Sequence, residues 1–503
     1  ALAATPLLLL LTLASPGSWW RLAFPLALLA GSVAVAARSA ELRRFGFGAA
    51  LVAAAVFGGF VRIYFLPSSG SWDVQYWKAC ALRSASHGVT RVYGDPGSVP
   101  PGHFLAQLRG REPQRQLEAL DQSFVVDQPP GIQALWAASW WAVARARHGL
   151  EWDEALNVAA KLPASLGDLL AAGLLLLAFR ERLRFGAVLA ALYWALPISW
   201  LSSGVLGFFD GAPAVAALAA LLMAGRGRAS WAGALLALAA LLKVTALLVA
   251  PAVLVALWVG RAPLARALAA GSAVVVLALV PFAVDGTLTA AVVHVYRIIF
   301  QERLSGGFAN AWWLLGALTE VRAGAMGWTE RVPFVRIEVL PFPARPAGAA
   351  ALALLVAGVA WLQRRSPGPR AAALAGFALV FGYASLAVGV HENHPHMMVL
   401  LALASGLAWP RLRFVAATVL TTYVLNMLAL SGLGRFYGPR YMALQPLVDA
   451  VAGLRLGLGF DLTLLLALVN LAAFAALLRG LPAAFAASAD GATADRAGPR
   501  PPD

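Results

Sequence analysis

Two carboxylates in one long hydrophilic stretch are the first candidates for chemistry. Asp73 stands in Ser71-Trp72-Asp73-Val74-Gln75-Tyr76-Trp77, and Asp127 follows fifty-four residues later in Val126-Asp127-Gln128-Pro129-Pro130-Gly131. Ser71 is a residue type that caps helices, which places Asp73 in a first helical turn, where the dipole favours a carboxylate. A carboxylate held among aromatics at the membrane surface can take a proton from an acceptor hydroxyl. Pro129 and Pro130 fix the backbone and bar helix before them, marking re-entry of the chain into the bilayer. A second cluster, His391-Glu392-Asn393-His394-Pro395-His396, packs three histidines and a glutamate into six residues. Its donors suit zinc, but Pro395 breaks helical spacing and no Asp-x-Asp motif accompanies it. Phosphate or sugar contact is therefore expected and no metal or other cofactor is assigned, with a divalent cation left open. A leaving phosphate needs positive or hydrogen-bonding groups where charge develops; Lys243, Arg297, Arg303, His391, Glu392 and His394 are the candidates for donor phosphate or sugar. Asp127, Gln128, Trp72, Trp77, Asn310, Trp312 and Asp210 are the candidates for acceptor or sugar contact. Asp168, the deepest ionisable group of a confident span, reads as a structural cap or pair.

The elements that must position these residues are membrane helices. Of 503 residues, 60% are apolar and 13% charged, against about 25% charged in soluble domains, and the mean hydropathy is +0.74. The composition excludes a soluble globular protein, a disordered chain, a coiled coil and a disulfide scaffold; Cys80 is the single cysteine. The net charge of +15 lies largely in short arginine clusters between apolar runs, among them Arg180–Arg184, Arg226–Arg228, Arg261–Arg266 and Arg364–Arg370. These have the pattern of positive-inside loops, and nucleic acid is excluded as a partner. Counting apolar runs against bilayer thickness predicts an all-α polytopic protein of about 12–14 spans. Residues 1–45 form a hydrophobic hairpin and basic loop, 46–284 a first module including outer loop 67–130, 285–345 a second outer loop, 346–479 the C-terminal spans and 480–503 a disordered cytoplasmic tail. Gly131–Ala146 reads as a helix lying in the interface, like the short helices expected in the outer loops. Trp231–Val259 is too long for one straight span and reads as a hairpin with Lys243 at its outer tip. Neither an internal repeat nor a matching pair of broken helices is visible.

Asp73 early in the first outer loop and an Asp-x-Pro-Pro element at its end resemble the GT-C superfamily of integral-membrane glycosyltransferases. Gln128 stands where that family usually has Tyr. Lys161-Leu162-Pro163 with Gly167-Asp168-Leu169-Leu170, Phe308-Ala309-Asn310-Ala311-Trp312-Trp313 and Val390-His391-Glu392-Asn393-His394 are similar to elements of its branch that uses polyprenyl- or dolichyl-phosphate glucose or mannose. The resemblance implies a GT-C-like fold and a hexosyltransferase with Asp73 as general base. The reaction it implies is inverting transfer from a polyprenyl-phosphate hexose to a hydroxyl of a glycolipid, lipid-linked oligosaccharide, protein or other envelope acceptor. Composition points to a bacterial plasma membrane with the site on its periplasmic side. The alternative is a transporter or flippase of a lipid-linked or polar solute, which would carry ionisable residues within its spans.

Overall fold

The structure, a computed structural model, describes residues 47–93, 126, 128–146, 152–299, 304–322, 343–407, 409–430 and 462–496. The predicted N-terminal hairpin, residues 94–125 of the first loop and the segment 431–461 lie outside the described residues. What is described is an all-α membrane protein. Seven helices are long and apolar enough to cross a bilayer, or eight if a bent pair counts as one span. That is fewer than the predicted 12–14, because three further apolar helices, Gly211–Gly225, Ala229–Leu242 and Val244–Val259, are too short to cross unbent, and the hairpin falls outside.

In chain order, α1 (Phe47–Phe65) leads to α2 (Trp72–His87), α3 (Pro130–Ala146) and the long α4 (Trp152–Ala178). Then come α5 (Leu183–Ala195) and α6 (Pro197–Trp200), which runs on as a π-helical turn to Leu206, and α7 (Gly211–Gly225). Pro197 interrupts the hydrogen-bond ladder, and the two halves of this span, Arg180–Ala195 and Pro197–Leu206, meet at 47°; the bend is a feature that sequence periodicity did not reveal. Next come α8 (Ala229–Leu242), a 3₁₀ stretch Val244–Val249, α9 (Ala250–Val259), α10 (Leu264–Val284) and α11 (Leu288–Ile299). The expected break in Trp231–Val259 falls at Lys243, whose backbone is extended at φ −155°, ψ 124°. The second half holds α12 (Ala311–Arg322), α13 (Ala344–Gln363), α14 (Pro369–Leu386), α15 (Met397–Leu401, continued by a π turn), α16 (Arg413–Leu430) and α17 (Leu462–Arg496).

The packing follows from where water is absent. α14 is enclosed on nearly every side, whereas α10 buries only Ala267 and Phe282 and turns the rest of its apolar surface outward, as a lipid-facing helix does. Small residues let helices approach where no hydrophobic effect between helices drives them together. Gly233 of α8 lies so close to α10 that a Cβ there would be 1.9 Å from the Ala267 carbonyl. Composition predicted disorder from residue 480, and the described part of that stretch is helical. α17 runs to Arg496, and Leu481, Ala484 and Phe485 are buried, so residues 480–496 are helical rather than disordered; alanine favours helix, and these apolar residues anchor it.

Two ends of the bundle differ in chemistry. Arg226 feels the charges of Arg180, Arg228 and Glu181, and Gly225 abuts Gly368 and Pro369 beside the arginines of 364–370, so three arginine-bearing turns gather at one end. α7 spans from there to Asp210, and α14 from there to Val390-His391. Just beneath that second end is a charged cluster enclosed among helices. All five N–H donors of Arg62 are occupied: Nε and Nη2 bond Asp168 Oδ2 at 3.1 and 2.7 Å, Nη2 also bonds Ser199 Oγ at 2.7 Å, and Nη1 bonds the carbonyls of Gly58 and Trp194 at 3.0 and 2.8 Å. Tyr193 Oη donates to Asp168 Oδ1 at 2.7 Å and Ser203 Oγ to Oδ2. Asp168 is thus the structural pair expected of it, and Arg62 is the partner that the sequence did not disclose.

Replacing Arg62 with Met leaves Asp168 buried without its cation, and we expect a loss of about 3–5 kcal/mol. The double variant Arg62→Met/Asp168→Asn removes the orphaned charge as well and is expected to recover part of that loss. Denaturation in mixed micelles, read by tryptophan fluorescence, measures both; a double variant less stable than Arg62→Met would contradict the clamp.

Candidate functional site

Asp73 is the second residue of α2, partly exposed in its first turn. Ser71 sits at the N-cap position without a side-chain cap bond; its backbone N–H instead donates to the Leu206 carbonyl at 2.9 Å. This bond joins the start of α2 to the π turn after α6. Lys161 holds the same junction from below. Its ammonium donates to Phe65 O at 2.9 Å, Ser68 Oγ at 3.3 Å and Gly204 O at 3.3 Å. Gly207, at φ +82°, completes the turn: a Cβ there would lie 2.5 Å from Val74 and 3.0 Å from Lys161. Asp73 is therefore presented from a rigid corner.

The histidine segment is held by a different device. Ser305-Gly306 pairs in parallel with Val390-His391, joining the second large loop to the segment after α14. Gly306 is needed because a Cβ would fall 2.6 Å from the His391 ring, and Gly307, at φ +103°, leaves the space taken by the Glu392 carboxyl. His391 Nδ1 lies 4.0 Å from Glu392 Oε2. The His391 backbone N–H donates to His394 Nδ1 at 3.4 Å, and Tyr383 Oη lies 3.3 Å from the same nitrogen. That assigns the remaining proton of a neutral His394 to Nε2, a donor suited to a phosphate or sugar oxygen. Burial, aided by His391 and Lys243, holds His394 well below the usual histidine range. Burial, with the charge of Asp73 next, pushes the Glu392 carboxyl up to about 8, while Lys243 opposes the rise and Asp210 adds to it.

These interactions bring Asp73, Asp210, Lys243, His391, Glu392 and His394 into one electrostatic neighbourhood, although they come from α2, α7, the α8 break and the segment after α14. Lys243 pairs with Asp210 and lies 5.3 Å from the Phe209 ring centroid. His396, buried beside them, is shifted down by burial while Asp210 and Asp168 oppose the shift. Among the described residues no group of three or more His, Cys, Asp or Glu is arranged to hold a metal ion.

Other candidates have different roles. Trp77 is 2% exposed and enclosed, stacked on Trp136 at 5.4 Å and edge-on to Phe208 and Phe209, so it is core rather than a sugar platform. Asn310 has its amide fully committed. Oδ1 accepts the backbone N–H groups of Trp312 and Trp313 at 3.1 and 3.0 Å, capping α12, and Nδ2 donates to Ala384 O and Ala387 O at 3.1 and 3.2 Å, closing the end of α14. No group of Asn310 remains for a sugar. Trp312 Nε1 donates to Leu386 O at 2.6 Å, so both residues are clamps, and an amide beside two tryptophans looks alike in sequence whether it caps or binds. The Gln128 carbonyl accepts from Tyr93 Oη, tying the loop's end to its middle. Asp127 and Arg303, with the side chains of Trp72 and Arg297, lie outside the described residues. Sequence reasoning missed Tyr383, whose only signal was a hydroxyl eleven residues before His394.

Compared with protein-family models and with curated proteins, the sequence matches none; the functional reading rests on the residues and their geometry.

Glu392 gives a prediction with a definite sign. Folded, its carboxyl keeps the proton up to about pH 8, against an ordinary value of 4.5. Between those values the folded chain binds more protons than the unfolded one, so this group's contribution to stability falls as pH rises through the window. Thermal unfolding in detergent should show a larger midpoint drop from about pH 5 to about pH 8 in the native chain than in Glu392→Gln. Equal drops would contradict the burial of a neutral carboxyl.

Proposed function

We propose that this protein is a polyprenyl-phosphate-sugar-dependent hexosyltransferase of the GT-C type. The acceptor hydroxyl attacks the anomeric carbon, Asp73 takes its proton, and the bond to the lipid phosphate breaks, the phosphate leaving with the electron pair. The transfer inverts the anomeric centre. The observation that carries the reading is the convergence of Asp73 with Lys243, His391, Glu392 and His394 at one end of the bundle, from three separate parts of the chain. An anion-handling cation, a neutral histidine donor and an ionisable base are the groups that such a transfer needs. The gathering of arginines at the opposite end favours an outward-facing site, periplasmic in a bacterial plasma membrane. Glycolipid, lipid-linked oligosaccharide or protein acceptors fit the same chemistry.

A transporter or flippase is the second reading, and one observation favours it: Arg62 and Asp168 are charged residues inside spans, next to a bent helix. Their hydrogen bonds are filled by protein groups, however, which suits a clamp better than a site that must exchange its contents.

The test is Asp73→Asn, which keeps shape and removes the base. Transfer should fall by about 10²–10⁴-fold with donor binding retained, measured by sugar transfer and donor titration on the same preparation. Normal turnover in this variant would remove Asp73 from the reaction.

A further inference from the structure

Lys243 and Asp210 form a buried ion pair that is under-satisfied. The contrast with the neighbouring buried cations is direct: Arg62 fills five donors and Lys161 three. Lys243, at 8% exposure, has Asp210 Oδ1 as its one side-chain hydrogen-bond acceptor among the described residues. Asp210 is 3% exposed, and its Oδ2 is buried with no hydrogen-bond partner among the described residues. Buried polar atoms left open in a native protein call for an explanation: Asp210 Oδ2, an acceptor, calls for a donor such as water, and the remaining N–H groups of Lys243 call for an acceptor. Lys243 stands where α8 ends, in extended backbone.

We propose that Asp210 holds Lys243 in place of a lipid-linked phosphate, and that the phosphate takes Lys243 over when it binds. This rests on the glycosyltransferase reading for the identity of the anion. An ammonium offers three N–H groups and, among the described residues, Asp210 fills one; the sugar-bearing phosphodiester brings two non-bridging acceptor oxygens, and the lipid phosphate monoester left after transfer brings three, enough to match the two N–H groups that remain and to compete for the first. Lys243 can move to it because its stem is flexible. Asp210 stays behind at the N-terminal end of α7, where a helix dipole favours its charge. After transfer, the same carboxylate recaptures Lys243 and helps expel the lipid phosphate. Asp210 is thus a positioning residue that acts through Lys243.

A purely architectural pair and an exchanging pair predict different signs. Farnesyl phosphate binding to the detergent-solubilised full chain is the probe, with farnesol and inorganic phosphate as controls. Lys243→Met should weaken farnesyl phosphate about tenfold or more, and Asp210→Asn, which removes the competitor, should tighten it by up to about tenfold. Lys243→Arg should retain most of the affinity, which separates charge from fold. Farnesol should not compete, and inorganic phosphate should bind far more weakly. Weakening by Asp210→Asn in a chain with native melting, or no change from either variant, would overturn the exchange. Inorganic phosphate binding as tightly as farnesyl phosphate would overturn the lipid-linked source. None of these results depends on Asp73, so a failed exchange and a failed base assignment are distinguishable.

Discussion

Charge enclosed among apolar helices is the constraint on which the rest of the structure depends. With no water available, a guanidinium or carboxylate must find every hydrogen bond in the protein, and Arg62 and Asp168 do so by drawing on α1, α4, α5 and α6. This joins four elements at one point and fixes the depth at which the chain leaves α1. The corner that presents Asp73 is built directly on it through Lys161, Ser68 and the π turn. The second pair lies alongside, since a Cβ on Gly211, the residue after Asp210, would sit 2.9 Å from Asp168 Oδ1. The satisfied pair is scaffold, and the incompletely satisfied pair is the part of the layer that has something left to bind.

The energetic division follows burial and completeness. A buried ion pair contributes little net stability relative to an apolar replacement, but breaking one side of it is costly. Arg62–Asp168 therefore acts as a specification of which helices meet and where. Glu392 is different: its neutral form is the stable one, so it can stand near Asp73 without like-charge repulsion.

The sequence disclosed the features that the bilayer dictates. Apolar runs and arginine clusters alternate because lipid and the positive-inside pattern leave few options, and the break at Lys243 follows from that. Asp73 was legible because first-turn carboxylates obey local rules. The pairing of Arg62 with Asp168 was not, since it joins residues 106 apart and nothing local distinguishes a paired arginine from one at a span's end. Trp77, Asn310 and Trp312 were assigned to ligand contact by type alone, and packing claimed all three. Residues 480–496 read as disorder because Ala, Gly and Pro suggest it, while Leu481 and Phe485 supply apolar surface that docks the start of that stretch.

The central claim is that the site makes a glycosidic bond. Purified protein in liposomes, given a panel of labelled polyprenyl-phosphate hexoses and a membrane-lipid acceptor extract, tests it directly. The account predicts that label from one donor leaves the lipid phosphate and appears in a new, phosphate-free glycoside linkage. Label that stays on the polyprenyl phosphate but crosses from one leaflet to the other would contradict it and establish a transporter.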